Sequence, residues 1–176
     1  PLVQNTVLDQ VDTNKKCVIL DTMNFWMDNA LDELMKVIRR VDIIIINDEE
    51  ALQLSGKNTL FAAAKEILSF GPSQIVIKKG EHGAMLFEEG EFFTVPAFPV
   101  EKVKDPTGAG DSFAGGFAGY LSQIDEIDFE GMKLAVVNGT VMASFCVEGF
   151  GTAVMKNLDK ETVDNRLKEF KKYTRY

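Results

Sequence analysis

The run 42-DIIIINDEEALQLS-55 places four consecutive isoleucines between polar ends and follows them with a helix-forming stretch. An unbroken β-branched run without alternation is the pattern of a strand buried on both faces, as in a parallel sheet. Working outward, 17-CVILD-21 and 74-QIVIKKG-80 repeat the pattern as two further buried strands. Helical spacing fills the gaps between them. Val3, Val7, Leu8 and Val11 predict a helix over 3–13. Residues 28–40 set Leu31, Leu34, Met35 and Ile38 on one face and end in two arginines, which suit a helix C-terminus. Helices over 48–55 and 58–70 follow, the second closed by 71-GP-72. This alternation implies right-handed βαβ units and a mostly parallel sheet flanked by helices on both faces.

The rhythm then changes. Segments 83-GAMLFEE-89 and 91-EFFTVPA-97 meet at Gly90 and predict a β-hairpin. Helices over 110–123, 131–148 and 161–172 complete the chain. No repeat, low-complexity tract or linker interrupts it, so residues 1–176 are expected to form a single α/β domain.

Composition narrows the functional classes. The 176 residues are 45% hydrophobic and carry a formal charge of −8 with a pI near 4.7. That balance argues against a nucleic-acid or anionic-membrane surface, while leaving room for local binding of a phosphorylated ligand. No apolar run reaches bilayer length and no signal peptide is visible, so a cytoplasmic location is expected. Cys17 and Cys146 have no C-x-x-C spacing and are expected to be buried thiols. The chain opens on Pro1 in the middle of a helical pattern, which predicts a part of a longer protein.

Parallel sheets place ligands beyond the carboxyl ends of their strands. Those ends carry Asp21 and Asn24, Asn47 and Glu50, and Lys78 to Gly80. A further candidate is 104-KDPTGAGDSFAGGFAGYL-121, which crowds five glycines around a helix entrance with Asp111 just inside it. The first turn of a helix leaves N–H groups unpaired at the positive end of its dipole, and small residues let an anion approach them. The turn is neither a Walker A loop, lacking G-K-[ST], nor a dinucleotide G-x-G-x-x-G. A carboxylate beside an anion hole makes chemical sense when a neutral hydroxyl sits between them and gives up its proton as it attacks phosphorus. The plainer alternative is a glycine-rich helix entry with a favourably placed charge. In that case Gly115, Gly116 and Gly119 serve close helix packing.

The string 105-DPTGAGDSF-113 resembles, position for position, the C-terminal signature of the PfkB/ribokinase family of carbohydrate kinases. Two further segments agree in order and spacing: the N-x-x-E of Asn47-Asp48-Glu49-Glu50, and 78-KKGEHG-83 before the hairpin. The resemblance spans the chain but only the C-terminal part of the family's fold. The family's N-terminal glycine-rich motif and β lid have no counterpart here.

The resemblance implies ATP-dependent transfer of the γ-phosphoryl group to a hydroxyl of a sugar or nucleoside. It implies Asp111 as catalytic base and Gly108, Ala109 and Gly110 as the anion hole. Asn47 would touch nucleotide phosphate, and Glu50 would orient Mg²⁺ through water. N-x-x-E is also a capping box, and the two roles are compatible. Lys78, Lys79, Gly80, Glu81, His82 and Gly83 would lie along the nucleotide, with His82 favoured as an exposed turn residue over a catalyst. Asn138 is either adenine-proximal or a helix-buried amide. Asp105 and Thr107, with backbone oxygens near Ser144, Val147 and Gly149, match a monovalent-cation (K⁺) site. Asp21 and Asn24 remain for the acceptor side, while Phe25 and Trp26 wall a pocket or pack. A homodimer through the lid region is a further expectation. Two rivals are a vitamin or pyrimidine kinase of the same superfamily and a non-catalytic nucleotide-binding module. The presence of both Asp111 and Glu50 speaks against the latter.

Overall fold

The computed structural model describes residues 1–12 and 17–175. Its elements run α1 (Leu2–Leu8), β1 (Ile19–Asp21), α2 (Asn24–Asn29), α3 (Leu31–Ile38), β2 (Ile43–Asn47), α4 (Asp48–Ser55), α5 (Leu60–Leu68) and β3 (Gln74–Lys78). A 3-10 turn at Gly80–His82 leads into β4 (Ala84–Glu88) and β5 (Glu91–Val95). Then come α6 (Ala109–Leu121), α7 (Phe129–Cys146), a second 3-10 turn at Met155–Asn157, and α8 (Lys160–Tyr173). The five strands form one mixed sheet in the order β1-β2-β3-β4-β5. β1, β2 and β3 pair in parallel, with Asp21 opposite Ile45 and Asn47 opposite Lys78. The expected α/β architecture, with its hairpin after the third parallel strand, is present.

The chain divides into two compact units, Pro1–Lys79 with Met85–Phe92, and Gly80–Ala84 with Phe93–Tyr176. In the first unit Ile44, Ile46, Ile75 and Ile77 pack with Leu34, Val37 and Ile38 of α3 and Ala63, Ala64 and Ile67 of α5. Ile43 and Ile45, of opposite parity, are equally inaccessible, so β2 is buried on both faces as its sequence predicts. Burial of each isoleucine contributes roughly 1.5–3 kcal/mol, which makes this strand the anchor of the unit.

In the second unit α6 and α7 approach closely. A Cβ on Gly116 would lie 2.6 Å from Met142 Cγ and 3.0 Å from the Asn138 carbonyl oxygen, and one on Gly139 would lie 2.8 Å from the Phe113 carbonyl oxygen. Each helix gives up a side chain where the other's backbone passes.

Several sequence expectations are corrected. α1 is shorter than 3–13, of which residue 13 lies outside the described residues, and none of its residues is buried. Its last turn tightens, Gln10 N–H bonding the Val7 carbonyl at 3.0 Å. The helix predicted over 28–40 is broken at Ala30, whose φ of −154° leaves the helical region, and residues 24–29 form a separate helix. Within α3 Leu34, Val37 and Ile38 are buried, while Leu31, in its first turn, is exposed. Gly115 and Gly119 have open space where a Cβ would stand, so of the three helical glycines packing accounts for Gly116 alone. Cys146 is buried but Cys17 is only half-buried. Among the described residues no helix is long and apolar enough to cross a membrane.

Candidate functional site

The candidate residues fall into two groups, one in each unit. In the first unit, β2 delivers Asn47 to its carboxyl end and α4 begins at the next residue. Asn47 Oδ1 accepts the Glu50 N–H at 2.7 Å, and Glu50 Oε2 accepts the Asn47 N–H at 3.1 Å, a reciprocal capping box. The Glu50 side chain is buried. Burial pushes its carboxyl above the ordinary value of 4.5, opposed by the Asn47 N–H bond and the nearby Lys78 charge, while Asp21 reinforces the rise.

Lys78 leaves the end of β3 and pairs with Asp21 at the end of β1. Its Nζ lies 3.1 and 3.0 Å from the two carboxylate oxygens. Both side chains are largely withdrawn from solvent, at 18% and 29% exposure, so the pair is better sheltered than an ordinary surface bridge. Because β1 and β3 flank β2, the ion pair spans the strand that carries Asn47. Asn24 meets this group through its backbone. Its side-chain amide donates to Gln53 Oε1 at 3.0 Å, and its backbone N–H supports the Glu50 carboxylate. Thr22, absent from the sequence-based candidates, sets a buried hydroxyl without a hydrogen-bond partner beside Asp21. No local signal distinguishes it, since its burial depends on chain packing.

Asp21, Asn24, Asn47, Glu50 and Lys78 are thus gathered at the carboxyl ends of β1, β2 and β3. Their oxygen donors are the kind Mg²⁺ takes, and Glu50 would hold such an ion through water. Among the described residues no group of three or more His, Cys, Asp or Glu side chains clusters tightly enough to bind a metal directly. Trp26 lines a separate cavity of about 930 Å³ between residues 1–4 and the α2–α3 region, and none of the candidate residues lines it. Phe25 is exposed and meets Trp26 edge-on at 5.0 Å.

In the second unit, Gly108 caps α6 in the left-handed region at φ 81°, a conformation glycine adopts without strain. The turn before it is tied internally. Asp105 Oδ1 accepts the Thr107 N–H at 2.9 Å, and the Ala109 N–H reaches the Pro106 carbonyl at 3.1 Å. The Thr107 N–H, then the Thr107 hydroxyl, hold the Asp105 carboxyl below the usual range. Helical bonding resumes with Ser112 N–H to the Gly108 carbonyl at 2.9 Å. Between these two bonds, the N–H groups of Gly110 and Asp111 have no partner among the described residues. The exposed Asp111 carboxylate stands in the same first turn.

The segment ending α7 meets this turn from below. The Val147 carbonyl accepts N–H groups from Lys104 at 2.8 Å and Asp105 at 3.4 Å. The Glu148 N–H turns back to Phe145 at 3.3 Å, departing from the i−4 ladder at Ser144. This segment and Asp105 therefore offer oxygen donors of the sort a monovalent cation takes. A Cβ on Gly149 would lie 2.5 Å from Val154 Cγ2, so that glycine has a packing reason as well.

Of the nucleotide-loop candidates, Gly80 and Gly83 adopt φ 54° and 87°, Glu81 and His82 are exposed, and Lys79 is half-buried. Gly83 has a purely steric requirement: its Cβ would fall 2.0 Å from the Val95 carbonyl oxygen. Asn138 is half-buried and bonds back to the Leu134 carbonyl at 2.8 Å.

Comparison with known proteins identifies the family. The family model for pfkB family carbohydrate kinases matches residues 4–166. A cytidine kinase of Thermococcus kodakarensis is 41% identical over 92 residues, covering 51% of this chain and 33% of its own length. A deoxyribokinase of Salmonella typhi is 36% identical over 129 residues, covering 70% and 40%. The crystal structure of aminoimidazole riboside kinase from Salmonella enterica, complexed with aminoimidazole riboside and an ATP analog, superposes with a TM-score of 0.73 at 28% identity. It covers 86% of this chain and 52% of its own. The chain spans about half the length of that structure and less of the two relatives. With its model matched over almost the whole sequence, the chain belongs to the pfkB family of carbohydrate kinases.

Proposed function

We propose that the protein containing this chain transfers the γ-phosphoryl group of ATP to a hydroxyl of a sugar or nucleoside. The observation that carries this reading is the mouth of α6, where two unpaired N–H groups and the Asp111 carboxylate share one turn. Unpaired helix N-terminal donors stabilise the charge of a phosphoryl group in transfer, and they need no reorganisation to do so. Asp111 accepts the proton of the attacking hydroxyl. Gly108, Ala109 and Gly110 frame the anion hole. Asn47, the segment from Lys78 to Gly83, and Asn138 contact the nucleotide. Glu50 would hold Mg²⁺ through water, and such an ion would supply positive charge to the phosphates. Asp105 and Thr107, with the main chain at Ser144, Val147 and Gly149, hold K⁺. Asp21, paired with Lys78, and Asn24 stand on the acceptor side. The sugar and nucleoside kinases among the relatives support this acceptor class.

Replacing Asp111 by Asn in the full-length protein tests the assignment. Removal of a general base is expected to lower turnover by about 10²–10⁴-fold while ATP binding changes by less than about twofold. Turnover equal to wild type refutes Asp111 as base. ATP binding without transfer to any pentose, hexose or nucleoside favours a non-catalytic module instead.

A further inference from the structure

We propose that Arg166 is a positioning residue for the anion-hole turn, acting through the last turn of α7; the proposal rests on the function assigned above to that turn. Arg166 lies on α8 and its side chain is only 17% exposed. Its guanidinium sits 3.6 Å from the centroid of the Phe145 ring and 5.0 Å from that of Phe98. Nη2 donates to both Glu148 carboxylate oxygens at 3.2 and 3.0 Å, and Nη1 donates to Ser144 Oγ at 3.1 Å. A withdrawn charge persists only when paired and hydrogen-bonded, and this one is paired with Glu148 and bonded to Ser144. Apart from Phe98, its partners are residues 144, 145 and 148.

The residues between them turn to the anion-hole turn instead. Val147 accepts the Lys104 and Asp105 N–H groups. The Cys146 thiol donates to the Thr107 carbonyl at 3.5 Å and would lie 3.7 Å from a Cβ on Gly108. One short segment thus grips Arg166 with one set of residues and residues 104–108 with the other.

Ser144, Phe145 and Cys146 are buried, but the helix end itself lacks the usual closing devices. A helix C-terminus leaves its final carbonyls unpaired and tends to fray. α7 has no basic residue in its last turn, and its C-cap, Val147, is right-handed rather than the left-handed glycine that closes many helices. Arg166 supplies from α8 the cation that favours the negative end of α7. The order of the segment passes to the Lys104 and Asp105 amides, and so to the turn that presents the Gly110 and Asp111 N–H groups.

The test uses Arg166→Met and Arg166→Lys in the full-length protein, with amide hydrogen exchange and steady-state kinetics. Lysine keeps the charge but loses the fork and the stacking plane. Arg166→Met is expected to speed exchange at Lys104 and Asp105 by about tenfold or more, as loss of charge-assisted bonds implies, with amides of β2 and β3 unchanged. The kcat is expected to fall by about tenfold with the KM for ATP within about twofold, and Arg166→Lys to recover only part of the loss. Should Arg166→Met not fold, Glu148→Gln carries the same expectation at smaller amplitude. A variant that merely melts earlier, with exchange at residues 104–108 unchanged, overturns the proposal. Faster exchange there with an unaltered kcat keeps the clamp and overturns the catalytic reading of the turn beneath it.

Discussion

Glu50 combines two demands that oppose one another at the level of a single residue. It closes a capping box, which any hydrogen-bond acceptor of its length satisfies, and it holds a carboxylate where burial disfavours charge. Because its folded-state pKa is raised, the folded protein binds a proton more readily than the unfolded chain between 4.5 and the raised value. Stability from this group is therefore fully present below the unfolded pKa and is lost as pH rises through the folded pKa. Glu50→Gln keeps an acceptor and removes the charge. Its melting temperature is expected to exceed that of wild type at pH 8, with the difference shrinking as pH falls toward 4.5. Thermal melts across that range check the sign, and the same variant is expected to lose Mg²⁺-dependent turnover. Gly83 and Gly80 form a second contrast. Gly80→Ala meets open space and is expected to cost about 1–2 kcal/mol, from left-handed strain alone. Gly83→Ala drives a methyl into the Val95–Pro96 backbone and is expected to cost at least about 3 kcal/mol by urea denaturation. Both glycines stand out in 78-KKGEHG-83. Only the approach of a strand twelve residues later separates their reasons.

Among the elements, α6 is where local reading and packing part company. Gly115, Gly116 and Gly119 look alike in sequence, yet only Gly116 faces the backbone of α7. Gly115→Ala is expected to stabilise the protein by about 0.5–1 kcal/mol, since it removes backbone freedom from the unfolded chain and meets no obstacle. Gly116→Ala is expected to destabilise it by about 1–3 kcal/mol, because the Asn138 carbonyl cannot yield as a side-chain tip can. Equilibrium denaturation of the two variants side by side measures the difference. The reciprocal glycine, Gly139, carried no sequence signal, since a small residue inside a helix marks a crossing only when the crossing partner is known. Helix caps were more legible. Asn47 and Glu50 announced their capping box, because its bonds join residues three apart. The break at Ala30 was not, because the apolar spacing across it continued without a glycine or proline to mark it.

For the whole molecule, the family match and the gathered strand ends direct the experiment to the full-length protein, since this chain spans about half of the solved structure it matches. Stripping divalent ions with a chelator is expected to abolish phosphotransfer from ATP, and Mg²⁺ to restore it, as read by product formation against pentoses, hexoses and nucleosides. Full activity without a divalent ion would remove Glu50 from the mechanism.

Apart from the end of α1 and the break at Ala30, the sequence alone determined which segments become strands and helices, their order, the hairpin and the GAGD signature at a helix entrance. Each of these is encoded by residues within about ten positions of one another, through side-chain periodicity and turn chemistry. Only the tertiary structure decided that Asp21 pairs with Lys78, 57 positions away. It likewise decided that Gly83 lies against Val95 and that Arg166 closes on Ser144, Phe145 and Glu148. Ion pairs and close contacts of that kind depend on strand register and helix crossing, and many partners of the same charge or size compete for them until the chain is packed.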